Sequence, residues 1–273
     1  MGATATTVQA PEDYLLHLAD NAIVLGQRNA EWCGHGPILE EDIAMANVSL
    51  DLIGQARLLY QLVAERRGDG CTEDALAYFR DAPEFRNYTL LELPHHGPLV
   101  GYAVSEQDYA TTLVRNFLYS ALMVEIWTGL SQAADTALAA IAERSLKETR
   151  YHLRHSRDWL VRLGDGSQES HQRTQAALDH LWAYTQEFWT TSPLEAAATD
   201  QGLDLSSIRT AWQHTVSTCL AEATLIAPAD GGYVSQGKTG LHSEHLGYVL
   251  ADIDRKSTRL TSHTDISRMP SSA

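Results

Sequence analysis

The chain has 273 residues, 44% of them hydrophobic, with 20 basic against 35 acidic side chains and a formal charge of −15. That size can bury one large core or two modest ones, and the acidic balance argues against a nucleic-acid phosphate backbone as partner, which needs clustered Lys and Arg. No apolar run of about 18 residues is present, and the start MGATATTVQAPEDY lacks the basic and apolar regions of a secretory signal, so no membrane partner and a cytoplasmic address are expected.

Cys33, Cys71 and Cys219 are odd in number and widely spaced, which suits reduced structural thiols better than a disulfide or thiolate metal site. Pro11 with Glu12 and Asp13 predicts a helix start, and Leu15, Leu18, Ala22, Leu25 and Trp32 repeat at helical spacing until CGHGP at 33–37. A second helix is expected from Leu39, with Glu40, Glu41 and Asp42 in its first turn, to RRGDG at 66–70. The turn at Gly34, His35, Gly36 and Pro37 has no following Lys-Ser or Lys-Thr and is expected to be structural. A short element over about 72–80 leads into a Pro- and His-containing loop that ends at Gly101.

Two long helices follow, from about Ser105 to Leu130 and Asp135 to Leu163, stopped by GDGS at 164–167. Helices over 168–189 and 204–226 come next, then a Gly-rich loop and a short helix from His242 to Asp254. Without sustained strand alternation the expected class is all-α, a four-helix bundle core with accessory C-terminal helices. The expected organisation is a flexible N-terminus at 1–12, a single helical domain at 13–254, and a Ser- and Thr-rich tail at 255–273 that does not belong to the fold.

Within KETRYHLRHSRDWLVRL, steps of three and four place Ile141, Ser145, Glu148, His152, His155, Trp159 and Leu163 on one face, apolar at its ends and polar in the middle. Buried charge needs partners. Glu125 sits at the centre of a face with Val114, Leu118, Ala121 and Thr128, and Asp51 borders a stripe containing Ile43, Leu50 and Ile53, so three core helices bring a carboxylate towards the middle. Paired irons in such bundles take one Glu from each of two helices and Glu-x-x-His from each of the others. Here Asp51 is followed at i+3 by Gly54 and Glu148 by Tyr151, while helix one offers only Arg28 or Glu31.

Asp51, Glu125, Glu148 and His152 are therefore vestigial, di-iron-like positions, and the preferred reading is a metal-free network of Glu148, His152, His155, Asp51 and Arg57. A catalytically active di-iron oxygenase using Asp51, Glu125, Glu148 and His152 is the alternative. His242, Glu244 and His245 in GLHSEHLG lack an evident third metal ligand. They are candidate partner contacts, as is the outward basic stripe of Lys147, Arg150, Arg154 and Arg157, although such runs are more often solvated faces.

The segments QRNAEWCGHGPILEEDIAMANVSLDLIGQARLL, RDAPEFRNYTLLELP, KETRYHLRHSRDWLVRLGDGS and GKTGLHSEHLGYVLADI resemble the family of C subunits of the multicomponent phenylacetyl-CoA epoxidase, also called phenylacetate-CoA oxygenase. The resemblance covers residues 13–253. It implies a non-catalytic, ferritin-like structural subunit with no cofactor of its own. Its partners would be a homologous catalytic A subunit that carries the di-iron site and binds the CoA thioester, the other subunits, and an NADPH-dependent reductase. The assembly would convert the ring of phenylacetyl-CoA into a 1,2-epoxide in aerobic phenylacetate degradation. After Asp254 the sequence departs from the family pattern.

Overall fold

A computed structural model describes residues 9–96, 107–190 and 192–253. Helix boundaries follow local chemistry closely. Pro11 leads into α1 (Glu12–Ala30), and its carbonyl accepts from Leu15 N at 3.2 Å. Asp42 Oδ1 accepts from Gly34 N at 2.8 Å and Gly36 N at 3.2 Å, which folds the turn before α2 (Leu39–Arg67). Gly68, at φ 63°, closes α2 in the left-handed conformation that glycine adopts without a Cβ penalty.

Short helices α3 (Glu73–Tyr78) and α4 (Thr89–Glu92) precede the central α5 (Tyr109–Leu130). Asp135 caps α6 (Thr136–Gly164) through Leu138 N, and Ser167 caps α7 (Gln168–Trp182) through Ser170 N. The continuous helix expected over 168–189 instead tightens into a 3₁₀ segment from Ala183 to Trp189. The expected linker contains α8 (Pro193–Asp200), started by the Ser192 cap and Pro193, and is followed by α9 (Leu205–Glu222). A last helix, α10, covers 244–253. Among the described residues extended pairing is limited to one isolated bridge between Gln236 and Leu241, so the class is all-α.

The core is built from two helical hairpins, α1 with α2 and α5 with α6. Residues Tyr14–Asn29 of α1 and Ala110–Met123 of α5 are buried on every side, as expected of helices wrapped by the others. A reciprocal amide pair joins them, each Nδ2 of Asn29 and Asn116 donating to the other's Oδ1 at 2.9 Å. Trp212 Nε1 donates to Leu118 O at 3.0 Å and seats α9 on α5.

Two expected helix faces need correction. Ile43 and Leu50 are exposed, and the inward stripe of α2 is Met45, Val48, Leu52, Ala56, Leu59 and Val63. On α6 the buried row is Leu138, Ala142, Ser145, Thr149, His152, Ser156, Leu160 and Gly164, while Ile141, Glu148, His155, Trp159 and Leu163 lie on its shoulder. Small side chains on that row let the neighbouring helices approach. Gly164 is an example, because a Cβ there would lie 2.3 Å from Ala223 O. Gly164→Ala is expected to cost about 1–3 kcal/mol in a thermal or denaturant melt, and an unchanged midpoint would contradict the close packing.

Residues 1–8 and the tail at 255–273 lie outside the described residues, as does Asp254. Ala10, within the stretch expected to be flexible, is instead buried, with its N–H on Asp135 Oδ2 at 2.8 Å and its carbonyl accepting from Arg66 at 3.3 Å.

Candidate functional site

The antiparallel seam between α2 and α6 gathers four of the acids and imidazoles that the sequence singles out, Asp51, Glu148, His152 and His155. His152 Nε2 meets Asp51 Oδ2 at 3.0 Å, and Gln55 Nε2 donates to Glu148 Oε2 at 3.0 Å. Towards the start of α2, His155 Nε2 meets Glu41 Oε2 at 2.9 Å, and Tyr109 OH donates to the same oxygen at 2.8 Å. Arg144 completes the ladder at Glu148 Oε1, 3.4 Å away. Each imidazole thus faces a carboxylate rather than a second imidazole, an arrangement that satisfies buried donors and acceptors locally.

Glu41, Gln55 and Tyr109 join this network without any signal in the sequence pattern. Arg57, expected within it, points elsewhere: it is exposed and pairs with Glu73 at 3.6 Å. Glu125 is half-buried on α5 and makes no hydrogen bond to Asp51, Glu148 or His152. Among the described residues no three His, Cys, Asp or Glu side chains are grouped as a metal ion would require. The donor set around Asp51 and Glu148 is also chemically short for two irons, since an amide and a guanidinium occupy the Glu148 oxygens. Beside the Glu41 end lies a largely apolar cavity of about 310 Å³, lined in part by Ile38, Tyr109, Trp159 and Leu163.

The candidate contact residues divide. Lys147, Arg150 and Arg154 are exposed on α6, with Lys147 paired to Glu143 at 3.2 Å. Arg157 is half-buried and reaches Glu222 on α9 through a hydrogen bond of 2.5 Å, an intramolecular use of its charge. Glu244 is exposed. His242, by contrast, is turned inward, its ring bonded to Glu92 Oε2 and Phe85 O, both at 3.0 Å, so it is not free for a partner. His245 is half-buried and lends its carbonyl to Arg28 at 3.4 Å.

Three deeply buried carboxylates that the sequence pattern does not single out hold the accessory segments on this core. Asp20 binds Arg80, takes Tyr60 OH at 2.6 Å and caps Arg86 N at 2.8 Å. Glu92 accepts from His242 and from Ser243 N at 2.6 Å. Glu187 accepts from Thr89 N at 2.9 Å, Lys238 N at 2.7 Å and Ser235 Oγ at 2.7 Å, and burial pushes its carboxyl up despite those bonds. The one hint in the sequence is the density of charge in RDAPEFRNYTLLELP.

A buried imidazole at the same end makes folding sensitive to acid. Burial lowers His17 to about 4, against the opposing effect of its hydrogen bond to Arg86 O. Between pH 6.5 and 4 the unfolded chain binds the extra proton and the folded chain does not, so stability is complete above that window and falls as pH descends through it. A loss of about 3 kcal/mol by pH 4 is expected from this group. Chemical denaturation of the wild type and His17→Asn across that range checks it, and equal pH slopes for the two would refute it.

The fold and seam define an all-α bundle with a half-buried row of hydrogen-bonded carboxylates and imidazoles between α2 and α6. Residues 3–264 match the model of the phenylacetic acid catabolic protein family. The sequence is 42% identical over 242 residues to the C subunit of the 1,2-phenylacetyl-CoA epoxidase of Escherichia coli (strain K12), covering 88% of this chain and 93% of that protein. The chain belongs to the phenylacetic acid catabolic protein family. No helix among the described residues is long and apolar enough to cross a membrane.

Proposed function

We propose that this chain is a non-catalytic structural subunit of a phenylacetyl-CoA 1,2-epoxidase. It would support a catalytic subunit that holds the di-iron centre, in an assembly supplied with electrons by an NADPH-dependent reductase. The observation that carries this reading is the 42% identity to the C subunit of such an epoxidase across nearly the full length of both chains. Its site chemistry gives separate support. Asp51 is engaged by His152, and Glu148 by Gln55 and Arg144, so the acids nearest a metal position already serve as hydrogen-bond acceptors within the chain. Work in a cytoplasmic complex with phenylacetyl-CoA as the substrate of its partner fits this role.

Purification alone and with the catalytic subunit tests it. The lone chain is expected to hold no tightly bound iron and to give no epoxide with reductase, NADPH and oxygen, whereas the assembled complex turns over. Two irons bound per lone chain, with turnover, would establish the self-sufficient oxygenase in its place.

A further inference from the structure

Helix α2 is apolar on two opposite sides. Its inner side fills the core, but Leu39, Ile43 and Leu50, at 70%, 51% and 66% exposure, align on the outer side at steps of four and seven residues. Single exposed apolar residues are ordinary, whereas an aligned row on one helix marks a contact surface. Asp51, bonded to His152, marks the seam with α6, and Tyr151 stands exposed on the α6 side of it.

The second observation is charge. Helix α6 carries six of the twenty Lys and Arg residues (Arg144, Lys147, Arg150, Arg154, Arg157 and Arg162) against three acids, in a chain of net −15. Arg150 and Arg154 are exposed and take no acidic partner among the described residues, and Arg154 lies over the Tyr151 ring at 5.6 Å. The outer faces of α2 and α6 thus form a ledge with an apolar half and a cationic half.

We infer that this α2–α6 ledge is the surface on which the chain docks the catalytic subunit of the epoxidase, through a helical face presenting an apolar stripe bordered by Asp and Glu. The inference rests on the function proposed above. Apolar burial along α2 supplies affinity, and the cations of α6 set orientation and association rate against an acidic edge. A second copy of this chain fits less well, because the same cations would then face each other across a two-fold contact.

The test uses the full chain and the purified catalytic subunit, with the dissociation constant measured at low and moderate salt. Leu50→Arg and Ile43→Glu are each expected to weaken binding by about tenfold or more, since they place charge in the apolar half. Arg150→Glu with Arg154→Glu is expected to weaken it and to flatten its salt dependence. Phe79→Arg, at an exposed apolar position just past α3 and outside the Leu39, Ile43 and Leu50 row, is expected to bind as wild type. Thermal midpoints matching wild type show that the variants fold. Wild-type binding that survives Leu50→Arg and Ile43→Glu within about twofold overturns the surface and leaves the subunit role intact. A wild-type chain that binds no epoxidase subunit overturns both. Self-association broken by Leu50→Arg, with binding to the catalytic subunit unchanged, assigns the ledge to a second copy and also overturns the proposal.

Discussion

Replacing Asp20 by Ala is expected to lower stability by about 3–5 kcal/mol, because it strands a buried guanidinium. Asp20 is fully buried and Arg80 nearly so, with the Arg80 guanidinium also lying over the Phe85 ring at 4.2 Å. The carboxylate additionally takes the Tyr60 hydroxyl and the Arg86 amide, so its loss leaves three donors without their acceptor. In a chain of this length the cost corresponds to roughly 10 °C in thermal midpoint. Asp20→Asn keeps acceptor oxygen for some of these donors and is expected to lose less. A midpoint for Asp20→Ala within about 2 °C of wild type would show that the Asp20–Arg80 pair does not anchor the segment.

The second large effect is expected at Glu187. Removing its carboxylate leaves the amides of Thr89 and Lys238 and the Ser235 hydroxyl without acceptors in a site closed to water. Each buried orphan costs about 1–3 kcal/mol, so Glu187→Ala is expected to lose at least about 3 kcal/mol. The damage should concentrate in the loop around Gly237–Thr239, because Gly237 packs against the Asn87 and Thr89 backbone with no room for a Cβ. Lys238 retains its hold on Thr190 O and Glu195, which limits the loss. Limited proteolysis read by mass spectrometry should show earlier cleavage at Lys238 in Glu187→Ala, with Glu187→Gln intermediate. Cleavage at the wild-type rate would place the anchor elsewhere.

These two acids also show where sequence reading stops. Asp20 and Glu187 serve donors 40 or more positions away, and nothing in the local spacing identifies those partners. His242 reads as an exposed contact because its neighbours Glu244 and His245 share a short polar motif, yet Glu92, 150 positions earlier, draws it inward. The pairing of His152 with Asp51 is legible in outline, since both lie on long helices of one bundle. Its neighbours Gln55, Glu41 and Tyr109 are not, because register between two helices is set by packing across the whole interface.

Caps and turns, by contrast, are local. Pro11, the glycine after α2, and the side chains of Asp135 and Ser167 fix where helices start and stop through bonds within a few residues, so the sequence by itself determined the long helices and the all-α class. Which side of each helix faces inward was decided only by the tertiary structure. On α2 both the Val48 row and the Leu50 row are apolar, and the hydrophobic effect favours burying either. Only the shape of the neighbouring helices selects one for the core and leaves the other facing out.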